Sequence, residues 1–208
     1  MKITILGGPG SGKGTLGSLL AEHLSIKHIS LGHVLRQSKN ADVIKTITAG
    51  QLVSDETAIE TLQAYLADNR IDDFIIDGYP RTLNQAKMLD ATINKPDVAI
   101  YLNVSTDILE SRLVTRLTCA CGAIFNLISK RPALNYICDV CKQELSLRLD
   151  DTVDTIKDRI SIFERNIDGI LDFYDMQARE NVLLTIDASQ NIDTVFRVVM
   201  QQIETITR

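Results

Sequence analysis

Hydrophobic and polar positions follow two kinds of pattern along the chain. Short apolar runs that predict β-strands lie at residues 2–6, 27–29, 74–77, 98–102 and 182–186. Between them, apolar residues recur every three or four positions and predict amphipathic helices at residues 16–24, 56–66, 83–91 and 106–116. Strands that alternate with helices are typical of a parallel sheet covered on both faces. We therefore predict an α/β fold with a five-stranded parallel sheet flanked by helices.

This alternation breaks once, between residues 117 and 151. Four cysteines and several turn-forming residues replace the helical pattern there. After this stretch, apolar residues from Val153 to Tyr174 again step by three and four and predict one long helix. We therefore predict a core domain made of residues 1–116 and 152–208, interrupted by a small inserted subdomain.

A glycine-rich loop follows the first predicted strand. Gly7, Gly12 and Lys13 stand at the G-x-x-x-x-G-K spacing of a phosphate-binding loop. Glycines allow successive backbone N–H groups to point at an anion, and the lysine can reach the β- and γ-phosphates of a nucleoside triphosphate. Gly14 occupies the position that usually carries Ser or Thr, and the hydroxyl follows at Thr15. The loop predicts a nucleotide-phosphate site.

Asp77 ends the apolar strand at residues 74–77 and precedes Gly78. Ligands of open parallel sheets lie beyond the carboxyl ends of the strands, so we expect this carboxylate to approach the phosphate loop. It could hold Mg²⁺ there through water, because Mg²⁺ gives up its hydration shell reluctantly. The alternative is an aspartate that only begins a turn.

Arginines supply a second sign of phosphate chemistry. Those at the ends of predicted elements or beside the insertion are Arg36, Arg81, Arg112, Arg116, Arg148 and Arg159. Guanidinium groups bind phosphates through two donors at once and suit the charge of a phosphoryl-transfer transition state. Arg112 and Arg116 are predicted to lie one turn apart on the same helix, where a solvated charged face is the alternative.

Composition limits the possible partners. The 208 residues carry a net charge of −5, which argues against a nucleic-acid partner. No apolar run approaches the roughly 20 residues of a membrane span, and no signal peptide is predicted. We expect a cytoplasmic protein, with no membrane partner, that folds as one domain or as one domain with an insertion.

The cysteines form two close pairs inside the inserted segment. Cys119 and Cys121 make the first pair, and Cys138 and Cys141 make the second. In a reducing cytosol such pairs indicate a pair of metal-binding knuckles before they indicate disulfides.

Five stretches of sequence point together to one enzyme family. They are residues 7–15, 29–36, 50–56, 77–85, and 148–151 with Arg159. In their order and spacing the chain closely resembles adenylate kinases of the long bacterial type, which carry a lid. The run Asp77-Gly78-Tyr79-Pro80-Arg81-Thr82 is the most specific of the five.

The resemblance implies an activity and a domain plan. The activity is reversible phosphoryl transfer, ATP + AMP = 2 ADP, with Mg²⁺ bound to ATP, in a cytoplasmic monomer. A monophosphate-binding flap at residues 30–53 and a lid at residues 117–151 would close over the two substrates and exclude water.

The resemblance also implies which residues do the work. It assigns ATP binding to Gly10, Ser11, Gly12, Lys13, Gly14, Thr15, Arg112, Arg116, Ile124, Phe125 and Gln190. It assigns AMP binding to Leu31, Arg36, Gln51, Leu52, Val53, Gly78, Tyr79, Pro80, Arg81, Gln85, Arg148 and Arg159. Catalytic roles would fall to Lys13, Arg81, Arg116, Arg148 and Arg159. Gln85 would bind the AMP base, because its amide offers both a donor and an acceptor.

Some positions depart from the family pattern and leave alternatives open. Leu31 stands where these kinases usually have Thr, and His33 replaces an acidic residue. Near Gln190 the family's usual Gly and Lys are missing. One alternative is another acceptor, UMP or CMP, or GTP as the donor. Another is a nucleotide-binding regulatory protein without catalysis.

The cysteine spacing departs as well. Metal-bearing lids in this family usually read Cys-x-x-Cys twice, whereas the first pair here is one residue shorter. We predict that Gly122 lets the turn tighten, so that four thiolates at about 2.3 Å surround a structural Zn²⁺. The alternative is a degenerate lid with free thiols.

Overall fold

The computed structural model describes residues 1–93, 95–148, 151–176 and 182–206. Its strands, in chain order, are β1 (Lys2–Gly7), β2 (Lys27–Ser30), β3 (Phe74–Asp77), β4 (Val98–Asn103), β5 (Arg116–Thr118), β6 (Ile124–Asn126), β7 (Ser146–Leu147) and β8 (Val182–Asp187). Its helices are α1 (Lys13–Leu24), α2 (Leu31–Arg36), α3 (Ala41–Thr48), α4 (Asp55–Asn69), α5 (Leu83–Thr92), α6 (Thr106–Val114), α7 (Val153–Met176) and α8 (Ile192–Ile206). Leu149 and Asp150, in the last of the resembling stretches, lie outside the described residues.

The main sheet confirms the predicted fold class. Its five strands run parallel in the order β2-β3-β1-β4-β8, and each corresponds to one predicted strand. In register, Ile5 of β1 stands beside Asp77 of β3. The end of β3 therefore lies level with the start of the glycine-rich loop.

Each face of this sheet packs against helices because successive strand residues point to opposite sides. On one face, Ile3 and Ile5 pack with Leu16 of α1 and Val199 of α8. On the other face, apolar residues of β1 and β4 pack against α5 and α7, including Tyr174. A separate cluster joins β2 and β3 to α2, α3 and α4.

Side-chain caps fix where several helices begin. Ser54 accepts a hydrogen bond from the N–H of Thr57 and starts α4. Thr82 accepts one from the N–H of Gln85 and starts α5. The second cap places Arg81 just before a helix and Gln85 in its first turn.

Among the described helices, none has the length and apolar character needed to cross a membrane.

The cysteine-rich segment forms its own small sheet. Strands β6, β5 and β7 pair antiparallel in that order. Its buried apolar cluster consists of Leu117, Cys119, Phe125, Cys138 and Leu145. So small a core gives limited hydrophobic stabilisation, because small domains bury a smaller fraction of their surface than large ones.

One predicted helix end is wrong. Helix α6 ends at Val114, and Arg116 begins β5, where it pairs with Asn126 of β6. Burial of Leu117 in the small core and its pairing with Phe125 outweigh the local helical pattern. Arg112 and Arg116 therefore do not share a helical face.

Candidate active site

A cavity of about 460 Å³ opens beyond the carboxyl ends of the main strands. The glycine-rich loop forms one wall, and the β6 region of the cysteine-rich segment forms another. The predicted ATP-site residues that line it are Gly10, Ser11, Gly12, Lys13, Gly14, Thr15, Arg112, Arg116, Ile124, Phe125 and Gln190. Asp77, Pro80 and Arg148 line it as well.

A smaller cavity of about 40 Å³ adjoins the first. Predicted AMP-site residues that line only this cavity are Leu31, Gln51, Val53, Tyr79 and Gln85. Those that line both cavities are Arg36, Leu52, Gly78, Arg81 and Arg159. The fold thus gathers all the residues predicted for nucleotide binding around two neighbouring spaces.

The glycine-rich loop has the backbone conformation of an anion cradle. Gly10 and Gly12 have φ values of +84° and +100°, in the left-handed region that favours glycine. Ser11 Oγ is buried and has no hydrogen-bond partner among the described residues. Because buried polar atoms are normally paired, this hydroxyl points to a ligand that would complete it.

Lys13 lies half-buried beneath this loop. Its Nζ donates to the carbonyl oxygens of Gly7 and Gly8, both at 2.7 Å. Burial lowers the pKa of Lys13 to about 7, while the nearby carboxylate of Asp77 acts in the opposite direction. A bound polyphosphate would favour the charged ammonium and raise this pKa again.

Asp77 is held beside the loop by groups from β2. Its Oδ2 lies 2.6 Å from Nε2 of His28, and its Oδ1 accepts from Ser30 Oγ at 3.2 Å. A Cβ atom placed on Gly14 would lie 3.6 Å from Asp77 Oδ2. The carboxylate therefore faces the loop, as predicted from its place at the end of β3.

Asp151 forms salt bridges with two of the arginines. It accepts from Nε and Nη2 of Arg116 at 2.7 and 2.6 Å, and from Nη1 of Arg159 at 2.6 Å. Its side chain is only 5% exposed. Since Arg116 begins β5 of the small sheet and Arg159 lies on α7, this carboxylate links the cysteine-rich segment to the long helix.

Gln85 forms the floor of the smaller cavity. Its side chain is buried, and Oε1 accepts from the N–H of Arg81 at 2.8 Å. Because a backbone N–H needs an acceptor, this bond fixes which way the amide faces and leaves Nε2 as its donor. Leu31, also buried, lines the same cavity with an apolar side chain.

The cysteines form a second, separate cluster. The four sulfur atoms lie within 4.8 Å of one another, with Cys119 to Cys141 at 3.3 Å and Cys121 to Cys138 at 3.7 Å. Four Zn–S bonds of about 2.3 Å would hold sulfurs about 3.8 Å apart. The backbone N–H of Cys141 lowers the pKa of Cys138 to about 7, which favours a thiolate. These residues fit a tetrahedral metal ion.

Gly122 explains how the shortened first pair closes. Its φ of +91° is unfavourable for other residues, and its N–H donates to the carbonyl of Cys119 at 3.0 Å. The tight turn brings both sulfurs of the Cys-x-Cys pair into the cluster.

Three residues near the site had no predicted role. His28 lies on β2, and the pairing of β2 with β3 brings its side chain to Asp77. Asp151 stood in a resembling stretch without an assigned function. Lys130 lines the larger cavity, and its Nζ lies 5.4 Å from the centre of the Phe125 ring. Only long-range packing brings these groups to the site.

Comparison with known proteins places this arrangement among adenylate kinases. The adenylate kinase family model matches residues 5–179. The chain is 34% identical to the adenylate kinase of Clostridium novyi (strain NT), with 98% of this chain and 99% of that protein aligned. It is 35% identical to the adenylate kinase of Petrotoga mobilis (strain DSM 10674 / SJ95), with 94% of each chain aligned. The adenylate kinase of Thermosipho melanesiensis (strain DSM 12029 / CIP 104789 / BI429) is 36% identical, over 96% of this chain and 98% of that protein.

Proposed function

Because this chain belongs to the adenylate kinase family, we propose that it transfers a phosphoryl group from ATP in the larger cavity to AMP in the smaller one. The products are two ADP molecules, and the reaction runs in both directions. The observation that carries the assignment is the convergence of Lys13, Asp77 and a set of arginines on one cavity that adjoins a second, smaller one.

The donor triphosphate would lie in the glycine-rich loop. Backbone N–H groups from Gly10 to Thr15 and the hydroxyl of Ser11 would bind its oxygens, and Lys13 would neutralise the β- and γ-phosphates. Mg²⁺ would accompany the ATP, with Asp77 binding it through water. Arg112, whose Nη2 donates to Ser189 O at 3.1 Å, would stack on the adenine.

The acceptor would lie between α2 and α5. Arg36 and Arg81 are already oriented there, since each donates to a backbone carbonyl: Gly32 at 2.6 Å and Gly78 at 2.7 Å. Their guanidinium groups would bind the AMP phosphate bidentately. Gln85 Nε2 would donate to the adenine, and Leu31 and Val53 would pack against it.

The chemical step needs no covalent intermediate on the protein. An oxygen of the AMP phosphate attacks the γ-phosphorus of ATP, and the bond from that phosphorus to the β,γ-bridging oxygen breaks. Charge spreads over the transferring group, so the protein contributes mainly alignment and cationic stabilisation. We assign this stabilisation to Lys13, Arg81, Arg116, Arg148 and Arg159.

Two segments would close over the substrates. We propose residues 117–151 as the lid and residues 30–53 as the flap, with the remainder as the core. Closure excludes water, which would otherwise accept the phosphoryl group and waste ATP. We propose Zn²⁺ as the ion held by the four cysteines, because a small sheet of this kind gains most from a structural metal.

Turnover with varied nucleotides tests the function. ATP and GTP are offered as donors with AMP, GMP, UMP and CMP as acceptors, and ADP formation is measured. We expect ATP with AMP to be fastest. Preference for a pyrimidine monophosphate would reassign the acceptor, and absence of turnover with every pair would support a regulatory role instead.

The site assignment is tested with Lys13→Ala and Arg81→Ala. Each should lower the rate by about 10²- to 10³-fold, because each removes a cation from the transferring phosphates. Lys87→Ala, an exposed lysine on α5, is the matched control and should keep normal turnover. Melting curves close to wild type would confirm that each variant is folded.

A further inference from the structure

The flap and the lid approach each other closely at His33 and Gly122. His33 lies on α2 in the flap, and Gly122 lies in the turn of the Cys-x-Cys pair in the lid. A Cβ atom built on Gly122 would lie 3.3 Å from Cε1 of His33, 3.5 Å from Nδ1 and 3.6 Å from Nε2. An approach along the ring edge would leave the nitrogens much farther away than the carbon. The position that a Cβ of Gly122 would take therefore lies over the face of the imidazole, and we describe this approach of the lid turn to the ring as stacking.

The flap holds the His33 ring in place for this contact. Nε2 of His33 lies 3.1 Å from Nε2 of Gln37, four residues later at the C-terminal cap of α2. An amide nitrogen can only donate, so the ring nitrogen accepts and the ring proton resides on Nδ1. The ring orientation is thus set within the flap, and the lid does not determine it.

The same short stretch of lid also reaches the phosphate loop. Two residues after Gly122, Cδ1 of Ile124 lies 3.5 Å from the position of a Cβ on Gly14. One side of this stretch therefore contacts the donor site, and the other contacts the helix that carries Leu31 and Arg36. The stacking requires that flap and lid be closed at the same time.

We propose that His33 is a positioning residue that couples the acceptor site to the donor site. By stacking on Gly122, it favours the arrangement in which both segments are closed. Each nucleotide closes one segment and so raises the affinity for the other nucleotide, by the same factor in both directions. This inference rests on the proposed assignment of donor and acceptor sites.

The test measures how strongly the two nucleotides help each other bind. Dissociation constants of AMP and of the β,γ-imido analogue of ATP are determined by calorimetry, each alone and with the other saturating. In wild type, each should raise the affinity for the other. His33→Ala should reduce this mutual enhancement by about 2- to 30-fold. Affinities for each nucleotide alone should stay within about twofold of wild type.

Two further variants show what the ring contributes. His33→Phe keeps a flat ring without nitrogens and should restore most of the coupling. His23→Ala, which removes a histidine that packs on Phe196 away from both cavities, should leave coupling unchanged.

Three results would overturn the proposal. The first is wild type without mutual enhancement, and the second is unchanged coupling in folded His33→Ala. The third is a loss of affinity of His33→Ala for one nucleotide alone that is as large as its loss of coupling. Failure of wild type to bind either nucleotide would refute the proposed function itself.

Discussion

His28 Nε2 and Asp77 Oδ2 lie 2.6 Å apart, so a strand neighbour holds the carboxylate that faces the phosphate loop. Both side chains are largely buried, at 18% and 10% exposed. On its other side, the imidazole lies 3.3 Å from Ser18 Oγ, which donates to the carbonyl of Gly14. The position of Asp77 thus depends on a ring that packs against the backbone of α1.

Gly17→Ala should disturb that ring and weaken the use of Mg²⁺. The new Cβ would lie 2.5 Å from His28 Nε2, so the imidazole must move away from Asp77. Residues that orient a metal-binding carboxylate typically change metal affinity by about 10- to 100-fold when lost. We expect the Mg²⁺ concentration for half-maximal turnover at fixed ATP to rise by about tenfold or more.

Gly169→Ala is the control for this substitution. Gly169 lies within α7, where a Cβ would meet nothing closer than 3.9 Å. That alanine should stabilise the helix by up to about 1 kcal/mol and leave the Mg²⁺ dependence unchanged. An unaltered Mg²⁺ dependence in Gly17→Ala would show that His28 does not position Asp77.

Lys13→Met should change how the free energy of unfolding depends on pH. The pKa of Lys13 is about 7 in the folded chain and returns to about 10.5 on unfolding. Between these values the unfolded state binds a proton that the folded state lacks, so wild-type stability rises with pH relative to the variant. The free energy of unfolding of wild type minus that of the variant should increase by up to about 1.4 kcal/mol per pH unit above pH 7 and stay constant below it.

Urea denaturation of both proteins from pH 6 to pH 9 measures this difference. Saturation with an ATP analogue should remove the dependence, because bound phosphates keep Lys13 charged in the folded state. A difference independent of pH would mean that folding leaves the Lys13 ammonium hydrated.

Gln85→Leu should raise the Michaelis constant for AMP much more than that for ATP. The leucine removes both the donor to the base and the acceptor for the Arg81 N–H. The polar groups left unpaired cost about 1–3 kcal/mol of free energy. Steady-state kinetics with each substrate varied in turn measures the two constants. Gln51→Leu is the control, because Gln51 is exposed at the same cavity and is expected to act through its backbone. Equal changes in both constants would remove Gln85 from the acceptor site.

The sequence predicted those parts of the fold that local pattern determines. All five parallel strands and the loop from Gly7 to Thr15 follow from neighbouring residues alone. The end of α6 did not, because Arg116 belongs to β5 only through pairing with Asn126, ten residues later. The spacing of apolar residues along the helix does not show that pairing.

Within the site, family resemblance supplied the residues proposed to bind the phosphates, but the groups that orient them came only from the structure. Asp151 was visible in the sequence, but its link to Arg116 joins residues 35 positions apart, and that link brings Arg116 beside Arg159. His28 reaches Asp77 across adjacent strands 49 residues apart. Such contacts depend on tertiary packing that single-sequence patterns do not encode.

The purified protein should carry about one Zn²⁺ per chain, bound by the four cysteines. Removing it with a chelator under reducing conditions should melt the lid first, because the small sheet keeps only a few buried apolar residues. The core around Ile3, Ile5 and Ile100 belongs to a buried cluster separate from that of Cys119 and Cys138, and it should stay folded. Turnover should therefore fall before the main unfolding transition, since an unfolded lid no longer brings Arg148 to the phosphates.

Three measurements separate these effects: elemental analysis gives the zinc content, calorimetry gives the unfolding transitions, and coupled turnover gives activity during chelation. Cys121→Ser should reproduce the metal-free state, because it removes one thiolate from an exposed position while leaving the small apolar core unchanged. Readdition of Zn²⁺ should restore turnover to chelated wild type but not to this variant. Freshly prepared, reduced protein that contains no metal and is fully active would show instead that the shortened Cys-x-Cys pair marks a site that has lost its ion.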